Sequence, residues 1–361
     1  MYKEGAAKIY TKNAFINDKA RLLRDISVAM ACINSEKSNA LDATAATGIR
    51  GIRYFLESEF KKITFLEINK NVYDTLLKNV SSNKVDGDAV NQSIQKFANT
   101  SKESFDLIDL DPFGGIQPYI YDLMKISKDG TLFFVTSTDT AVLCGAHKNA
   151  CMRLYNSVPM HNEICHETGL RIMIGYIATI AAGFNFGIEA YLSMSYKHYM
   201  RVHLKMNRGA KNATVSLKEL GFAGYCNNCG FRNYKKGIPE KETCKHCGSG
   251  MELSGPMWLG SLHNKKIVDD VIAITDRNNK LTNSDKRILK EISDEMDIPL
   301  YYSIPKLTKR LGIASISPLK VIESIRQKGY KASLTHFDNN SIKTDAEFDV
   351  IKNSVLESSG R

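Results

Sequence analysis

Between residues 40 and 135 short apolar runs alternate with segments of helical periodicity, and few folds satisfy that alternation. Ala40–Ala43, Lys62–Ile68, Ser104–Leu110 and Thr131–Val135 read as strands. Ile49–Glu57, Asn71–Ser81 and the stretch near Ile116–Ile126 carry apolar residues at helical spacing. A strand–helix–strand series demands crossovers, so the sheet is predicted to be parallel with helices on both faces, an α/β Rossmann-like domain. Leu170–Ala182 is apolar nearly all round and reads as a buried helix. Ile188–Met206 holds strand-like stretches that would complete the sheet. Periodicity then fails over 207–256, and helical stretches at Asp285–Met296 and Pro318–Lys328 suggest a smaller α+β unit. The predicted division is 1–206 and 207–361, with a cysteine-bearing module at 222–252 in the second part.

Charge points to a partner. The 361-residue chain carries a net +10 and a pI near 9.0, which favours a polyanion. No stretch of about 18 apolar residues runs without a polar break, so no membrane span is expected. The start of the chain lacks the apolar core of a secretory signal. Eight cysteines are too sparse for a disulfide scaffold, and a reducing cytoplasm is the expected location.

The chemistry concentrates at Asp109-Leu110-Asp111-Pro112-Phe113-Gly114, which follows the apolar run Phe105–Ile108. A strand ending in a carboxylate, a rigid bend and an aromatic ring suits gripping the exocyclic amino group of a flat base. Upstream, Leu41-Asp42-Ala43-Thr44-Ala45-Ala46-Thr47-Gly48-Ile49-Arg50-Gly51 joins the first strand to its helix. Small residues there let backbone approach a ligand at a helix N-terminus, yet the segment is not the GxGxxG of dinucleotide sites. Glu67 closes the second strand, where a carboxylate can accept both hydroxyls of a ribose. Gly87-Asp88-Ala89 follows the next helix, and an Asp there can take an adenine amino group. Singly these are ordinary residues, a solvated charge and a turn aspartate. In this order, ahead of Asp-Pro-Phe-Gly, they point to an S-adenosylmethionine site.

Cys226-Asn227-Asn228-Cys229 and Cys244-Lys245-His246-Cys247 form two C-x2-C pairs fourteen residues apart. Four thiolates at this spacing suit a closed tetrahedral structural zinc site. Cys32, Cys144, Cys151 and Cys165 lack such spacing and read as buried small residues. Residues 207–256 also hold Arg208, Lys211, Lys218, Arg232, Lys235, Lys236, Lys241 and Lys245 against four acids, with Tyr225, Phe231 and Tyr234 among them. Basic side chains interleaved with aromatics suit an RNA backbone. Lys306, Lys309 and Arg310 add charge on a predicted helix.

The chain resembles the archaeal and eukaryotic tRNA guanine-26 N2-dimethyltransferases, the Trm1 family, nearly end to end. The resemblance rests on Lys3-Glu4-Gly5, Leu23-Arg24-Asp25-Ile26-Ser27-Val28, Ala46-Thr47-Gly48-Ile49-Arg50 and the Asp109–Gly114 block. Further matches are Thr138-Asp139-Thr140-Ala141-Val142-Leu143-Cys144-Gly145, Cys165-His166-Glu167 with Gly169-Leu170-Arg171, and Gly255-Pro256 with Trp258. Thr335-His336-Phe337 and Lys343-Thr344-Asp345-Ala346 close the series. It implies a class I S-adenosylmethionine methyltransferase domain and a C-terminal tRNA-binding domain acting on tRNA, as a monomer. Arg24, Arg50, Glu67, Asp88 and Ala89 fall on positions the family uses for S-adenosylmethionine, with Arg24 and Arg50 towards the methionine carboxylate. Asp111 would accept the guanine N2 hydrogen bond and proton, with the Pro112 carbonyl taking the other N–H. Phe113 and Phe15 would stack on the base.

Three departures stand out. Gly115-Ile116 replaces the family's Ser-Pro, Asn17-Asp18-Lys19-Ala20 its Asn-Pro-x-Met, and Leu334 an arginine. The first two lie near the expected base pocket, so rate or the number of methyls could differ. Read alone, Phe15 fits a core aromatic and Arg24 an exposed helix charge. Two other classes compete, an N6-adenine methyltransferase and a non-catalytic RNA-binding protein. The first has a second proline where Phe113 stands, and intact Glu67, Asp88 and Asp111 oppose the second.

Overall fold

The computed structural model describes residues 1–239, 243–277 and 281–360. A small hairpin, β1 (Tyr2–Glu4) and β2 (Ala7–Ile9), precedes the helix Arg21–Ile33. Then come β3 (Asn39–Asp42), β4 (Lys62–Leu66), β5 (Gly87–Val90), β6 (Phe105–Leu110), β7 (Ser127–Ser137), β8 (Phe186–Tyr196) and β9 (Tyr199–Arg208). They form one seven-stranded sheet in the order β5-β4-β3-β6-β7-β9-β8. Pairings from β5 through β7 are parallel, while β9 runs antiparallel to both β7 and β8. The expected strand-like stretch at 188–206 is thus a long hairpin closing the sheet. The chain order reverses beside β3, the switch point where such sheets open a crevice for ligands.

Side-chain alternation assigns the two faces. Leu41, Ile108, Phe133 and Val135 pack into one core with the buried helix Cys165–Gly183. Ala40, Leu107, Leu132 and Phe134 pack into the other, with the helices Arg21–Ile33 and Ile49–Ser58. Odd positions of β9 break the apolar rule: Arg201 and His203 are fully buried on the second face. A buried guanidinium requires partners, and Arg201 finds Asp109, Thr136 and Ser27.

After β9, the strands β10 (Leu220–Tyr225), β11 (Arg232–Lys236) and β12 (Glu252–Trp258) make a three-stranded sheet that carries the cysteine pairs. Met257, Trp258 and Leu262 return to the first core, and the helices Lys265–Arg277 and Asn283–Asp294 pack into the second through Val268, Val271, Leu289 and Ile292. The remaining α+β unit shares its own core with Cys226, Phe231 and Cys244 of the cysteine module. Among the described residues no helix is long and apolar enough to cross a membrane.

The N-terminal hairpin is pinned by charge. Glu4 is 1% exposed and accepts from Arg24 Nε at 2.7 Å and Nη2 at 2.5 Å, and from Arg53 Nη1 at 2.7 Å. Asp25 and Glu57 complete the shell around Arg53. Burial pushes the Glu4 carboxyl up, but the Arg24 and Arg53 guanidiniums outweigh it and hold it at about 2. A lowered folded value means that this stabilisation is present above the ordinary glutamate value of about 4.3 and is lost as pH falls towards 2. Glu4→Ala leaves the buried Arg24 without a carboxylate and takes one of three from Arg53, so urea unfolding near neutral pH is expected to show a loss of about 3–5 kcal/mol. An unchanged unfolding midpoint would show that the hairpin does not depend on this carboxylate.

Candidate active site and cysteine module

A cavity of about 620 Å³ opens at the C-terminal ends of β3, β4 and β6, a size typical of cofactor sites. Its floor is the loop after β3. Ala43 N donates to Asp109 O, Ala45 N to Leu66 O, and Gly51 N to the Asp42 carboxylate, which ties the loop to both neighbouring strands. Glycine is required twice here. Gly48 sits at φ 78° and a Cβ on it would lie 2.6 Å from Leu76; one on Gly51 would lie 2.4 Å from the Phe65 ring. Burial, reinforced by the nearby Asp109 charge, raises the Asp42 carboxyl to about 7.

Glu67 closes β4 and lines the cavity. One carboxylate oxygen accepts from Ala46 N at 3.0 Å and the other from Asn69 N at 2.7 Å, leaving further lone pairs for ligand hydroxyls. Arg24 also lines it, and is buried rather than an exposed helix charge. Its Nη1 donates to Asn17 O, and a second Nη1 hydrogen is available for an anion. Arg53 is enclosed by its carboxylates and does not line the cavity. Glu67, the cationic Arg24, a small-residue loop and the apolar side chains of Ile68 and Ile94 fit the ribose, carboxylate and adenine of S-adenosylmethionine.

Two expected cofactor residues lie elsewhere. Asp88 is in the middle of β5, paired with Thr64, and its exposed carboxylate binds Lys62 Nζ at 2.7 Å. Ala89 is likewise within the strand, its carbonyl accepting from Tyr73. β5 ends at Val90, so the turn that reaches the cavity is Gln92-Ser93-Ile94. Ligands of such sheets bind beyond the strand ends, and neither Asp88 nor Ala89 lines the cavity. Asn17, Thr138 and Tyr199 also line the cavity. Asn17 and Thr138 fall in segments that carry the family resemblance, whereas no sequence motif marks Tyr199, at the start of β9.

The Asp-Pro-Phe-Gly turn occupies the opposite wall. Asp109 and Asp111 have unlike roles. Asp109 is fully buried, bidentate to Arg201 at 2.8 and 2.7 Å, hydrogen-bonded by Tyr54 and 3.8 Å from Arg50. Burial would raise its carboxyl, but Arg201 and Arg50 hold it at about 2. Asp111 is past the strand end, with its side chain 27% exposed. Arg50 Nε and Nη2 both donate to its Oδ2, at 3.0 and 2.6 Å. Among the described residues nothing donates to Oδ1, which is left for a ligand. Thr44 Oγ1 accepts from Asp111 N, and Gly114 exchanges two hydrogen bonds with Thr138 (2.8 and 3.1 Å), which fixes the turn. Arg50, expected at the methionine carboxylate, therefore spends its Nε and Nη2 on Asp111.

Phe113 and Phe15 stand at the mouth, 84% and 64% exposed, with ring centroids 6.2 Å apart and planes at 50°. Phe15 is not a core aromatic. Exposed facing rings carry an apolar cost that a stacked ligand would relieve.

The four cysteines converge. Cys226 and Cys247 sulfurs are 3.4 Å apart, those of Cys229 and Cys244 3.5 Å, and all four lie within 4.8 Å of one another. A tetrahedral Zn²⁺ with bonds of about 2.3 Å places its sulfurs roughly 3.8 Å apart, so the set fits zinc. Both pairs have one backbone pattern: Gly230 N donates to Cys226 O and Gly248 N to Cys244 O, each glycine at positive φ. His246 points elsewhere, against Phe231 and Phe348.

The expected basic and aromatic surface is smaller than its sequence. Arg232, Tyr225 and Phe231 are buried, and Arg232 lies 3.9 Å over the Tyr302 ring. Arg310 is committed to Glu163 and Tyr225. Arg208, Lys211, Lys218, Tyr234, Lys235, Lys236, Lys245, Lys306 and Lys309 stay exposed, and Lys241 is outside the described residues.

Two outcomes follow from this geometry. A raised folded carboxyl destabilises the charged form, so Asp42 weakens the fold as pH rises from about 4 to about 7. Asp42→Asn is therefore expected to gain stability relative to wild type across that window in thermal melts, and a pH-independent difference would contradict the assignment. Cys229→Ser is expected to lower bound zinc by one equivalent per chain by elemental analysis, while unchanged zinc would remove this cysteine from the ligand set.

Known proteins agree with this architecture. A family model described as N2,N2-dimethylguanosine tRNA methyltransferase matches residues 2–356. The tRNA (guanine(26)-N(2))-dimethyltransferase of Pyrococcus abyssi is 34% identical over 98% of this chain and 98% of its own length. That of Methanosarcina acetivorans is 34% identical over 96% and 92%. The solved structure of Trm1 from Pyrococcus horikoshii with S-adenosyl-L-methionine superposes with a TM-score of 0.88 at 31% identity, covering 98% of each chain. With its sheet order, its cavity at the switch point and this full-length similarity, the chain belongs to the N2,N2-dimethylguanosine tRNA methyltransferase family.

Proposed function

We propose that this protein transfers one or two methyl groups from S-adenosylmethionine to the exocyclic N2 of guanine 26 in tRNA, with Asp111 as the acceptor of the amine's hydrogen bond and proton. The observation that carries this reading is the placement of Asp111. Its carboxylate is clamped through one oxygen by Arg50 and open through the other, between the cavity and the Phe15–Phe113 pair.

The cofactor supplies an electrophilic methyl group when bound in the cavity. Arg24, Glu67 and the turn at Gln92–Ile94 are assigned to hold it. The guanine N2 lone pair is delocalised into the ring, so the protein must orient the amine and accept its proton. Asp111 Oδ1 receives one N–H, and the Pro112 carbonyl, an acceptor in the same turn, receives the other. Until it loses a proton, the nitrogen that has gained a methyl is cationic and strongly acidic, so a carboxylate suffices as its base. A monomethylated amine still carries one N–H for Asp111, which permits a second round.

The base must leave the tRNA stack to reach this pocket, at a cost of a few kcal/mol. Phe15 and Phe113 offset it by closing on its two faces. Two stacking distances of about 3.4 Å require roughly 7 Å, slightly more than the present 6.2 Å at 50°, so the rings must swing parallel as the base enters. Residues 207–361, with the exposed lysines and Tyr234, are assigned to tRNA binding, and the protein to action as a monomer in the cytoplasm.

Unmodified tRNA transcript, labelled S-adenosylmethionine and nucleoside analysis test the activity. Label is expected in N2-methylated guanosine and absent when position 26 is not guanine; label at another base would overturn the reading. Asp111→Asn is expected to bind S-adenosylmethionine as wild type does and to lose about 10²–10⁴-fold in turnover. Near-wild-type turnover would remove Asp111 from the mechanism. Phe113→Leu is expected to cost about 1–3 kcal/mol of tRNA affinity with the cofactor dissociation constant unchanged.

A further inference from the structure

We propose that Cys144, Cys165 and His166 form a second metal site for a zinc-like divalent cation, separate from the four-cysteine module. Neither the transfer chemistry nor the tRNA surface uses these residues. Cys144 follows the short helix Thr140–Leu143, and Cys165 and His166 open the long helix Cys165–Gly183. Folding brings Cys144 to the adjacent pair Cys165 and His166, 21 and 22 positions further on, with one ligand atom of each within 4.8 Å of the others. Cys144 Sγ is 3.7 Å from His166 Nδ1. Zinc bonds of about 2.3 Å to sulfur and 2.0–2.1 Å to nitrogen, at a tetrahedral angle, set that separation at roughly 3.6 Å.

Charge and access agree. Two thiolates and a neutral imidazole compensate a dication, with the thiol protons released on binding. Cys165 and His166 are partly exposed, which gives the ion an entry path. Three protein ligands leave the fourth position to water. The other three-residue cluster, His263, Glu295 and His336, offers a useful contrast. Its ligand atoms also lie within 4.8 Å of one another, but Lys343 Nζ is 2.7 Å from Glu295 Oε1. An ammonium already occupies the charge position there, and a dication beside it would be repelled. The plain alternative for Cys144 is a thiol donating to the Cys165 carbonyl at 3.5 Å. That contact explains one sulfur, but not why a second thiol and an imidazole converge on it. Among the described residues Cys32 and Cys151 join no such group.

The site would act as a cross-link. Cys144 ends the segment that begins at Thr138, and Thr138 holds Gly114 of the Asp-Pro-Phe-Gly turn. An ion at Cys144, Cys165 and His166 would tie that segment to the start of the long helix and so brace the turn from behind.

The test is metal stoichiometry, independent of methyl transfer. The full chain is titrated with Zn²⁺ against a chromogenic chelator, and with Co²⁺ read by thiolate-to-cobalt charge transfer. Two equivalents are expected for wild type and one for each of Cys165→Ser and Cys229→Ser, with cobalt absorption persisting in both single variants. A single equivalent in wild type would overturn the proposal even if the variants fail to fold. So would two equivalents in folded Cys165→Ser.

Discussion

An ion ladder running from the sheet interior to the cavity sets the position of Asp111. Arg201 on β9 grips Asp109 on β6 with two hydrogen bonds. Arg50, on the helix after β3, sits between Asp109 and Asp111 and binds the latter through Nε and Nη2. A buried charge without a partner is costly, and the removal of one member exposes the next. Each rung therefore fixes its neighbour, and the last rung presents one free carboxylate oxygen. The same logic operates on the other side of the cavity, where Glu4 of the N-terminal hairpin holds Arg24 and Arg53. The two sides meet in the cavity, so the first residues of the chain contribute to the site as directly as the sheet does.

This arrangement separates two demands that compete in a methyltransferase. The cofactor side is built from backbone, small residues and one acidic strand end, and needs close approach. The side proposed for the base is built from exposed rings and a carboxylate on a clamped turn, and would need an opening wide enough for an extruded nucleotide. Thr138 and Thr44 hydrogen-bond the turn from both sides, leaving Phe15 and Phe113 to adjust. The cysteine module contributes away from the cavity. Its residues Cys226, Phe231 and Cys244 share a core with the C-terminal unit, and Arg232 stacks on Tyr302 of that unit. Zinc there would thus order a surface hairpin and its attachment together.

Much of this was legible in the sequence, and the failures have physical causes. The strand–helix alternation, the Asp-Pro-Phe-Gly turn, Glu67 and the paired cysteines depend on local pattern, which sequence carries well. Asp88 lies away from the cavity because reach depends on where a strand ends. β5 runs on to Val90, which carries Asp88 to the sheet edge beside Lys62. Arg50 lines the cavity, as the family resemblance implies, but its contact with Asp111 at 2.6 Å exists only in the fold. Arg232 and Phe231 looked like RNA-facing residues because their sequence neighbours are charged, yet they fill the core behind the module. Tyr199 and Arg201 could not have been found at all, since neither role exists until β9 pairs with β7.

The contact between Asp111 and the target amine is the central claim, and a cycle between the protein and its substrate tests it most directly. The dissociation constants of tRNA carrying guanine or inosine at position 26 would be measured for wild type and for Asp111→Ala. Inosine keeps the ring, its stacking and O6, and lacks only the N2 amine. The expected result is that inosine weakens binding to wild type by about 1–3 kcal/mol, the cost of leaving a site's polar group unpaired, and that this penalty shrinks in Asp111→Ala to what the Pro112 carbonyl contributes. An equal penalty in both proteins would place the amine against some other group and contradict the role given to Asp111.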